Sequence, residues 1–240
     1  MDKIFIFDVD GTLTPSRLPM TEKFQKFFKK WIKKNKFYLV TGSDLPKLQE
    51  QMCGLETFSD GIFTCCGNQF WRDTKLVYEN KFNFSSELKN LLGIFLMQTQ
   101  YTQHCGNHIE DRGSMINFSI VGRDCNQKQR ENYFQWDIKS GERKKIAKYI
   151  KEKFTELDAV IGGQISIDIY PKGMDKSQVF NVIKQDRLVK ADEYIFIGDG
   201  IKNGGNDYPL AKLMNTKDNC YTFQTTGWEQ TQEILENLVD

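Results

Sequence analysis

Histidine occurs only twice in the 240 residues and arginine only seven times, and the six cysteines (Cys53, Cys65, Cys66, Cys105, Cys125, Cys220) form no CxxC pair. The missing CxxC spacing removes the usual signature of structural zinc and dithiol redox sites. Cys65 and Cys66 are adjacent and poorly placed to bridge each other, so free thiols in a reducing compartment are expected. His104 and His108 lack ligand spacing and read as structural. The opening apolar run, residues 4–7, is too brief for a signal-peptide core or a membrane span, so a cytoplasmic protein with no membrane partner is expected. Excess charge is also missing. With 33 basic and 32 acidic residues and no long basic run, the chain as a whole offers nucleic acid no electrostatic footprint. Internal repeats, low-complexity tracts and proline-rich linkers are absent as well.

What is present is a globular composition, 39% hydrophobic and 27% charged, on a chain long enough for one large domain or two small ones. Residues 4–7 read as a buried strand that runs into FDVDGTLT, residues 7–14. Two carboxylates at such a strand end, Asp8 and Asp10, are costly unless something pairs them. In an extended chain both side chains face one pocket unless the chain bends between them. There they repel, and a shared cation is the usual relief.

Residues 21–36 place Phe24, Phe27, Phe28, Trp31 and Ile32 at helical spacing behind Thr21, a candidate N-cap. A second strand at 37–40 leads into the turn Thr41-Gly42-Ser43-Asp44 and a helix over 46–52. Alternating strands and helices indicate right-handed parallel crossovers in a three-layer α/β domain, where ligands collect beyond the carboxyl ends of the strands. After about residue 80 the pattern changes to half-exposed antiparallel strands around 108–110, 115–122 and 165–170. Ile165, Ile167 and Ile169 share a face for helices near 86–100 and 141–154 to cover, whereas Ser166, Asp168 and Tyr170 are expected to lie open to a ligand. Parallel character returns at 193–198, followed by Asp199 and Gly204-Gly205-Asn206-Asp207. The predicted fold is a three-layer, Rossmann-like α/β core made of residues 1–80 and 176–240, interrupted by an inserted α+β domain over 81–175 with an antiparallel sheet and helices.

Parallel strands bring their carboxyl ends together. Asp8, the backbone carbonyl of Asp10, and Asp199 would then supply oxygens to one Mg²⁺, a cation that keeps waters and bridges to phosphate. Thr41, Gly42 and Ser43 offer hydroxyl and backbone donors at a strand-to-helix junction, a natural anion site. Lys176 would supply the counter-charge.

DVDGT, the TGS turn, a lysine opening a helix and a late GD with GGND together resemble the haloacid dehalogenase superfamily of aspartate-nucleophile phosphotransferases. EDRGSMINFSIVGRDC, GGQISIDIYPKGMDK, FIGDGIKNGGNDY and SDLPKLQEQ resemble segments of the eukaryotic-type phosphomannomutases, with matches from residue 4 to about 208. The resemblance implies that Asp8 is the nucleophile, forming a phosphoaspartate, and that Asp10 is the acid/base, its pKa raised by its acidic neighbour. Lys176 completes the implied catalytic set, and Asp8, Asp10, Asp199 and Asp207 the implied Mg²⁺ site. Arg17, Arg112, Arg123 and Arg130 match phosphate-binding arginines, and Ser166 and Asp168 match residues that hold sugar hydroxyls, with Gln164 beside them. The activity implied is interconversion of mannose 6-phosphate and mannose 1-phosphate for GDP-mannose synthesis, with a hexose 1,6-bisphosphate as activator. The inserted domain would be a cap that binds the hexose phosphate, closes over the core and forms a homodimer. A Mg²⁺-dependent sugar-phosphate phosphatase is the alternative, favoured by Thr41 where the family has glycine. A catalytically silent binding protein is a third reading, opposed by the intact Asp8, Asp10, Lys176 and Asp199 set. Other departures are Cys65-Cys66-Gly67-Asn68 in place of a Glu-Asn-Gly turn, Gly200-Ile201 in place of Lys-Thr, and Pro209 in place of a glutamate.

Overall fold

The computed structural model describes residues 2–238. Along the chain run β1 (Lys3–Phe7), α1 (Glu22–Trp31), β2 (Lys36–Val40), α2 (Leu45–Met52), β3 (Gly61–Thr64), β4 (Gln69–Arg72) and β5 (Lys75–Glu79). There follow α3 (Ser86–Gln98), β6 (Ile109–Asp111), β7 (Ile116–Phe118), α4 (Gln127–Ser140), α5 (Glu142–Lys153), β8 (Leu157–Gly162) and β9 (Ser166–Pro171). The last elements are α6 (Gln178–Gln185), β10 (Glu193–Gly198), α7 (Tyr208–Met214), β11 (Cys220–Gln224) and α8 (Trp228–Leu238). They fall into two compact units, one of residues 2–79 with 175–238, the other Asn80–Met174.

In the first unit a seven-stranded sheet has the order β11-β10-β1-β2-β3-β4-β5. Strands β11 through β3 run parallel, and β4 and β5 add an antiparallel hairpin. β1 is central, with Phe7 opposite both Ile197 of β10 and Leu39 of β2. Its side chains alternate between two cores. Phe5 and Phe7 pack with Phe24, Phe28 and Trp31 of α1 and Leu235 of α8, whereas Ile4 and Ile6 pack with Phe180 of α6 and Leu210 of α7. A strand buried on both faces needs an unbroken apolar run, which is why the alternation of half-exposed strands is missing at residues 4–7. Phe7 meets Phe28 edge-on at 5.9 Å and Trp31 at 5.6 Å between centroids. Thr21 caps α1 as expected, its side chain accepting the Phe24 N–H. The helix stops at Trp31, short of the periodic pattern, where Asn35 Nδ2 donates to the Trp31 carbonyl at 2.8 Å.

The second unit is an antiparallel sheet of order β6-β7-β9-β8. Ile167 and Ile169 pack with Leu88 and Leu92 of α3, Tyr133 of α4, and Ile146 and Ile150 of α5. Helices α3 and α5 lie where the sequence predicts cover. α4 carries no such signal, because its buried residues are Arg130, Tyr133 and Asp137 rather than an apolar stripe. β7 is shorter than the alternation over 115–122 predicts: beyond Phe118 the chain turns, and the Gly122 N–H bonds Ser119 O at 3.2 Å. β8 and the β4–β5 hairpin are further elements with no sequence expectation. The hairpin turns at Asp73 and Thr74, both at positive φ (49° and 62°) without the usual glycine. No helix among the described residues is long and apolar enough to cross a membrane.

Candidate active site

In the first unit β1, β2 and β10 are neighbours in a parallel sheet, and Asp8, Thr41 and Asp199 immediately follow their carboxyl ends. The Asp8 N–H continues the β1–β10 ladder to Ile197 O at 3.0 Å. Asp8 is buried. Its Oδ1 accepts from Lys176 Nζ at 2.6 Å and its Oδ2 from Thr12 Oγ1 at 3.1 Å. Lys176, with no exposed surface, also donates to Asp207 Oδ1 at 2.6 Å, and Asp207 Oδ2 accepts the Gly200 N–H at 3.0 Å. One carboxylate oxygen each from Asp8, Asp199 and Asp207 lie within 4.8 Å of one another. The glycine of DGT is needed for that approach, since a Cβ at Gly11, where φ is +80°, would stand 2.4 Å from Asp199 Oδ2.

The charges in this cluster do not balance. Burial alone would push the Lys176 ammonium down, but Asp207 and Asp8 outweigh it and hold the group well above its usual value. Burial, then the charge of Asp207, lift the Asp8 carboxyl well above the ordinary carboxylate range in spite of Lys176. Asp199 still reaches solvent, yet desolvation and then Asp207 push it up to about 7. An all-oxygen, anionic donor set short of positive charge suits a hard divalent cation such as Mg²⁺, so Asp8, Asp199 and Asp207 are the residues able to hold one.

Asp10 does not join this group. The N–H groups of Thr12, Leu13 and Thr14 all turn back to Val9 O at 3.2, 3.0 and 3.1 Å, so the strand's alternation ends before Asp10. Its Oδ1 instead accepts the Arg17 N–H at 2.6 Å and Gln51 Nε2 at 2.9 Å, and its Oδ2 accepts Ser43 Oγ at 3.3 Å. The chain thus bends between the two aspartates, the case in which alternation does not put both side chains in one pocket. Arg17 takes a left-handed φ of 65°, the conformation from which its N–H reaches Asp10. The Thr41-Gly42-Ser43 turn also differs from an open cradle of donors. Thr41 N–H is used by Phe63 O at 2.9 Å, Ser43 N–H by Thr41 Oγ1 at 3.0 Å, and Ser43 Oγ by Asp10. Gln51, fully buried, is the contact sequence reasoning missed, although the SDLPKLQEQ segment ends on it.

In the second unit Glu110 sits between two arginines, with Arg112 Nη2 at 2.6 Å from Oε2 and Arg123 Nε at 3.2 Å from Oε1. Arg123 Nη1 also donates to Ser166 Oγ at 2.9 Å. Asn117 Nδ2 donates to Asp168 Oδ1 at 2.6 Å. Arg130 Nε reaches Gln164 Oε1 at 3.3 Å, and Gln164 Nε2 donates to Glu131 Oε2 at 2.8 Å. The structure thus brings Ser166 and Asp168 together with Arg123, but not on an open face: Ser166, Asp168 and Tyr170 are 5, 2 and 1% exposed. Polar partners from neighbouring segments occupy the face that alternation alone left bare. The first glycine of GGQIS serves the same crowding, because a Cβ at Gly162 would lie 2.6 Å from Asp168 Cγ. Arg143 was not foreseen. Its Nε bonds Asp137 Oδ2 at 2.7 Å, and its Nη1 bonds the carbonyls of Gly163 and Ser166 at 2.9 and 3.3 Å, clamping the start of β9. The Nδ1 atoms of His104 and His108 lie 3.0 and 2.9 Å from the carbonyls of Ile120 and Ser119, in keeping with structural roles.

A family model described as eukaryotic phosphomannomutase matches residues 24–240. The chain belongs to the eukaryotic phosphomannomutases. The phosphomannomutase of Encephalitozoon cuniculi is 37% identical over 225 residues, covering 90% of this chain and 85% of that one. That of Galdieria sulphuraria is 31% identical over 244 residues, covering 98% and 95%. Among solved structures, the C-terminal domain of Candida albicans trehalose-6-phosphate phosphatase superposes with a TM-score of 0.70 at 16% identity, covering 99% of this chain and 91% of that one. A haloacid dehalogenase-like hydrolase from Bacteroides thetaiotaomicron gives 0.62 at 14% identity, covering 99% and 100%. At those identities the likeness establishes the fold alone: a haloacid dehalogenase-like α/β core with a separate antiparallel sheet.

Within the phosphomannomutase family, this chain's unusual residues have local explanations. Cys65 and Cys66 both take left-handed φ values, 52° and 59°, and their N–H groups bond Ser43 O and Thr41 O at 3.0 and 2.9 Å, so the cysteine turn braces the Thr41–Ser43 turn. All six cysteines are free thiols. Pro209 falls in the first turn of α7, where a missing N–H leaves no helical bond unmade.

Proposed function

We propose that this chain interconverts mannose 6-phosphate and mannose 1-phosphate through a phosphoaspartyl enzyme, with a hexose 1,6-bisphosphate as activator. The observation that carries the reading is the separation of two aspartates in one loop: Asp8 lies against the buried Lys176 ammonium inside the acidic cluster, while Asp10 is held apart by Arg17, Gln51 and Ser43. An Asp8 oxygen attacks phosphorus, the bond from phosphorus to the sugar oxygen breaks, and Asp10 gives that oxygen its proton. In the return step the free hydroxyl of a bound hexose monophosphate attacks the phosphoaspartate, the bond from phosphorus to the Asp8 oxygen breaks, the hydroxyl proton passes to Asp10, and the Asp8 carboxylate is released. Lys176 fixes the nucleophile and keeps a positive charge beside it. Thr41, Gly42 and Ser43 hold the transferring phosphoryl group's surroundings in place. Asp8, the Asp10 carbonyl and Asp199, supported by Asp207, would hold a Mg²⁺, which when bound would supply charge neutralisation for phosphoryl transfer.

The first unit is read as the catalytic core and the second as the substrate-binding cap. In the cap, Arg112, Arg123 and Arg130 hold the phosphate that is not reacting, since guanidinium forks suit phosphate, and in the core Arg17 is a phosphate-binding residue beside the nucleophile loop. Ser166, Asp168 and Gln164 meet sugar hydroxyls. Homodimerisation through the cap is supported by the exposed apolar side chains Ile94, Met97 and Tyr149 on α3 and α5, and a reducing, cytoplasmic setting by the free cysteines.

The test is conversion of mannose 1-phosphate to mannose 6-phosphate with Mg²⁺ and catalytic bisphosphate, followed by phosphorus NMR. Isomerisation without net phosphate release supports the reading. Inorganic phosphate appearing without isomerisation would instead point to a sugar-phosphate phosphatase.

A further inference from the structure

We infer that Gln51 is a positioning residue that orients the Asp10 carboxyl group and fixes the direction in which its Oδ2 is presented; this rests on reading Asp10 as the acid/base. Gln51 lies on α2 with no exposed surface. Its Nε2 donates to Asp10 Oδ1 at 2.9 Å and to Thr14 Oγ1 at 3.0 Å, which uses both amide hydrogens. Its Oε1 is sealed from solvent and has no hydrogen-bond partner among the described residues. A glutamine kept only to satisfy its surroundings would have both ends bonded, because an unpaired buried carbonyl is costly. Here the protein leaves the carbonyl end unpaired and spends the amino end on a carboxylate.

The orientation of the amide follows from its neighbours. Turning it over would bring Oε1 against Asp10 Oδ1, which already accepts the Arg17 N–H, two acceptors face to face, so the nitrogen stays toward Asp10. The helix end is itself anchored: the Met20 N–H bonds the Gln51 carbonyl at 2.8 Å, and Asp44 caps the other end of α2 by accepting the Lys47 N–H at 3.1 Å. Arg17 N–H and Gln51 Nε2 therefore reach Oδ1 from two separate chain segments, at 2.6 and 2.9 Å. Oδ2 has the single longer contact with Ser43 Oγ, 3.3 Å. With Oδ1 already holding two donors, Oδ2 is the less engaged oxygen, and Gln51 fixes the direction in which it is presented.

The experiment compares leaving groups. An alkyl oxygen of a hexose phosphate needs a proton as it departs, whereas p-nitrophenolate does not. Gln51→Leu removes the donor with little change in size, and Gln51→Glu keeps the shape but presents a carboxylate that cannot donate when ionised. In single-turnover assays both variants should slow phosphoryl transfer from mannose 6-phosphate by about tenfold or more, a part of the acid–base contribution, while p-nitrophenol release from p-nitrophenyl phosphate stays within about twofold. Equal slowing of both substrates would mean a structural role only and would overturn the inference. Asp10→Asn separates the two claims. If it too slows only the hexose phosphate, the acid/base reading stands, and the Gln51 result is judged by itself; if it slows both alike, the reading of Asp10 fails. Circular dichroism melts establish that each variant is folded, and Gln51→Glu carries the test should the leucine variant not fold.

Discussion

Replacing Lys176 with methionine keeps the reach of the side chain and deletes its charge. Two contacts of 2.6 Å vanish, and Asp8 and Asp207, 3 and 0% exposed, are left facing each other with no ammonium between them. Removing one partner of a buried ion pair costs about 3–5 kcal/mol. Because two carboxylates lose the same partner, the upper end of that range, about 5 kcal/mol, applies. Each kcal/mol lowers Tm by about 2–4 °C in a chain of this size, so a fall of about 10–20 °C is expected at pH 8 in buffer free of divalent metal. Near-ultraviolet circular dichroism is a suitable probe, because Trp31 stacks on Phe28 at 5.5 Å in the core beside β1. The double variant Lys176→Met with Asp207→Asn removes one of the stranded charges and should recover about half of the loss, giving a non-additive cycle. Phosphoaspartate formation should fall by at least about a hundredfold in the single variant, as for other preorganised charge donors. A Tm change below about 2 °C would refute the reasoning, since Lys176 could then not be the main charge compensating Asp8 and Asp207.

Other perturbations test different parts of the same structure. Gly11→Ala places a methyl group 2.4 Å from Asp199 Oδ2 at φ +80°; strain of about 1–3 kcal/mol and weaker Mg²⁺ binding by calorimetry are expected, and unchanged Mg²⁺ affinity would contradict the crowding. Burial pushes the Glu110 carboxyl up, but Arg123 and then Arg112 pull it further down, to below its usual value. Its contribution is therefore present above the unfolded carboxylate pKa of about 4.3 and lost as pH falls through the lower folded value; Glu110→Gln should flatten that acid-side slope in melts between about pH 3 and 6. Arg143→Ala strands the buried Asp137 and two carbonyls, costing about 3–5 kcal/mol, and faster amide exchange in β8 and β9 is the measurement that checks it.

The parts of this molecule that the sequence made legible are those where one physical rule acts alone. Residues 4–7 read as a buried strand because both their faces are covered, and Thr21 reads as an N-cap because capping is local. Alternation alone leaves open whether Asp10 shares the Asp8 pocket, because the outcome depends on a bend that a strand pattern does not report: Val9 O collects three N–H groups and bends the chain before the second aspartate. Helix α4 was invisible because the residues it buries are Arg130, Tyr133 and Asp137, so no apolar stripe exists. Its only local signals were the reciprocal capping by Asn126 and Gln129 and the left-handed Gly141 at its end. Ser166 and Asp168 were correctly placed on one strand face, but period-two reasoning says nothing about the Asn117 and Arg123 side chains that meet them. Gln51 acts on a residue 41 positions away, and neither spacing nor propensity reports such a contact.

The charge count around Asp8 also predicts an order of binding. The buried Arg143–Asp137 pair and the half-buried Arg72–Asp186 pair each match one cation with one carboxylate. Around Asp8, however, three carboxylates share Lys176. A phosphate dianion brought to Asp8 adds more of the same sign, and protonating Asp8 to relieve the repulsion would remove the nucleophile. One unmatched charge about 5 Å away in a partly buried site is worth about 3 kcal/mol at an effective dielectric of about 20, a little over a hundredfold in affinity. Inorganic phosphate should accordingly bind the first unit's cluster at least about a hundredfold more tightly with Mg²⁺ than without it, as read by calorimetry at pH 8, above the raised Asp199 value of about 7. At pH 6 the protonated Asp199 carries no charge, and the advantage of Mg²⁺ should shrink. Equal phosphate affinity with and without Mg²⁺ at pH 8 would mean that Lys176 alone neutralises the site, and that the three carboxylates are kept for a reason other than holding a cation.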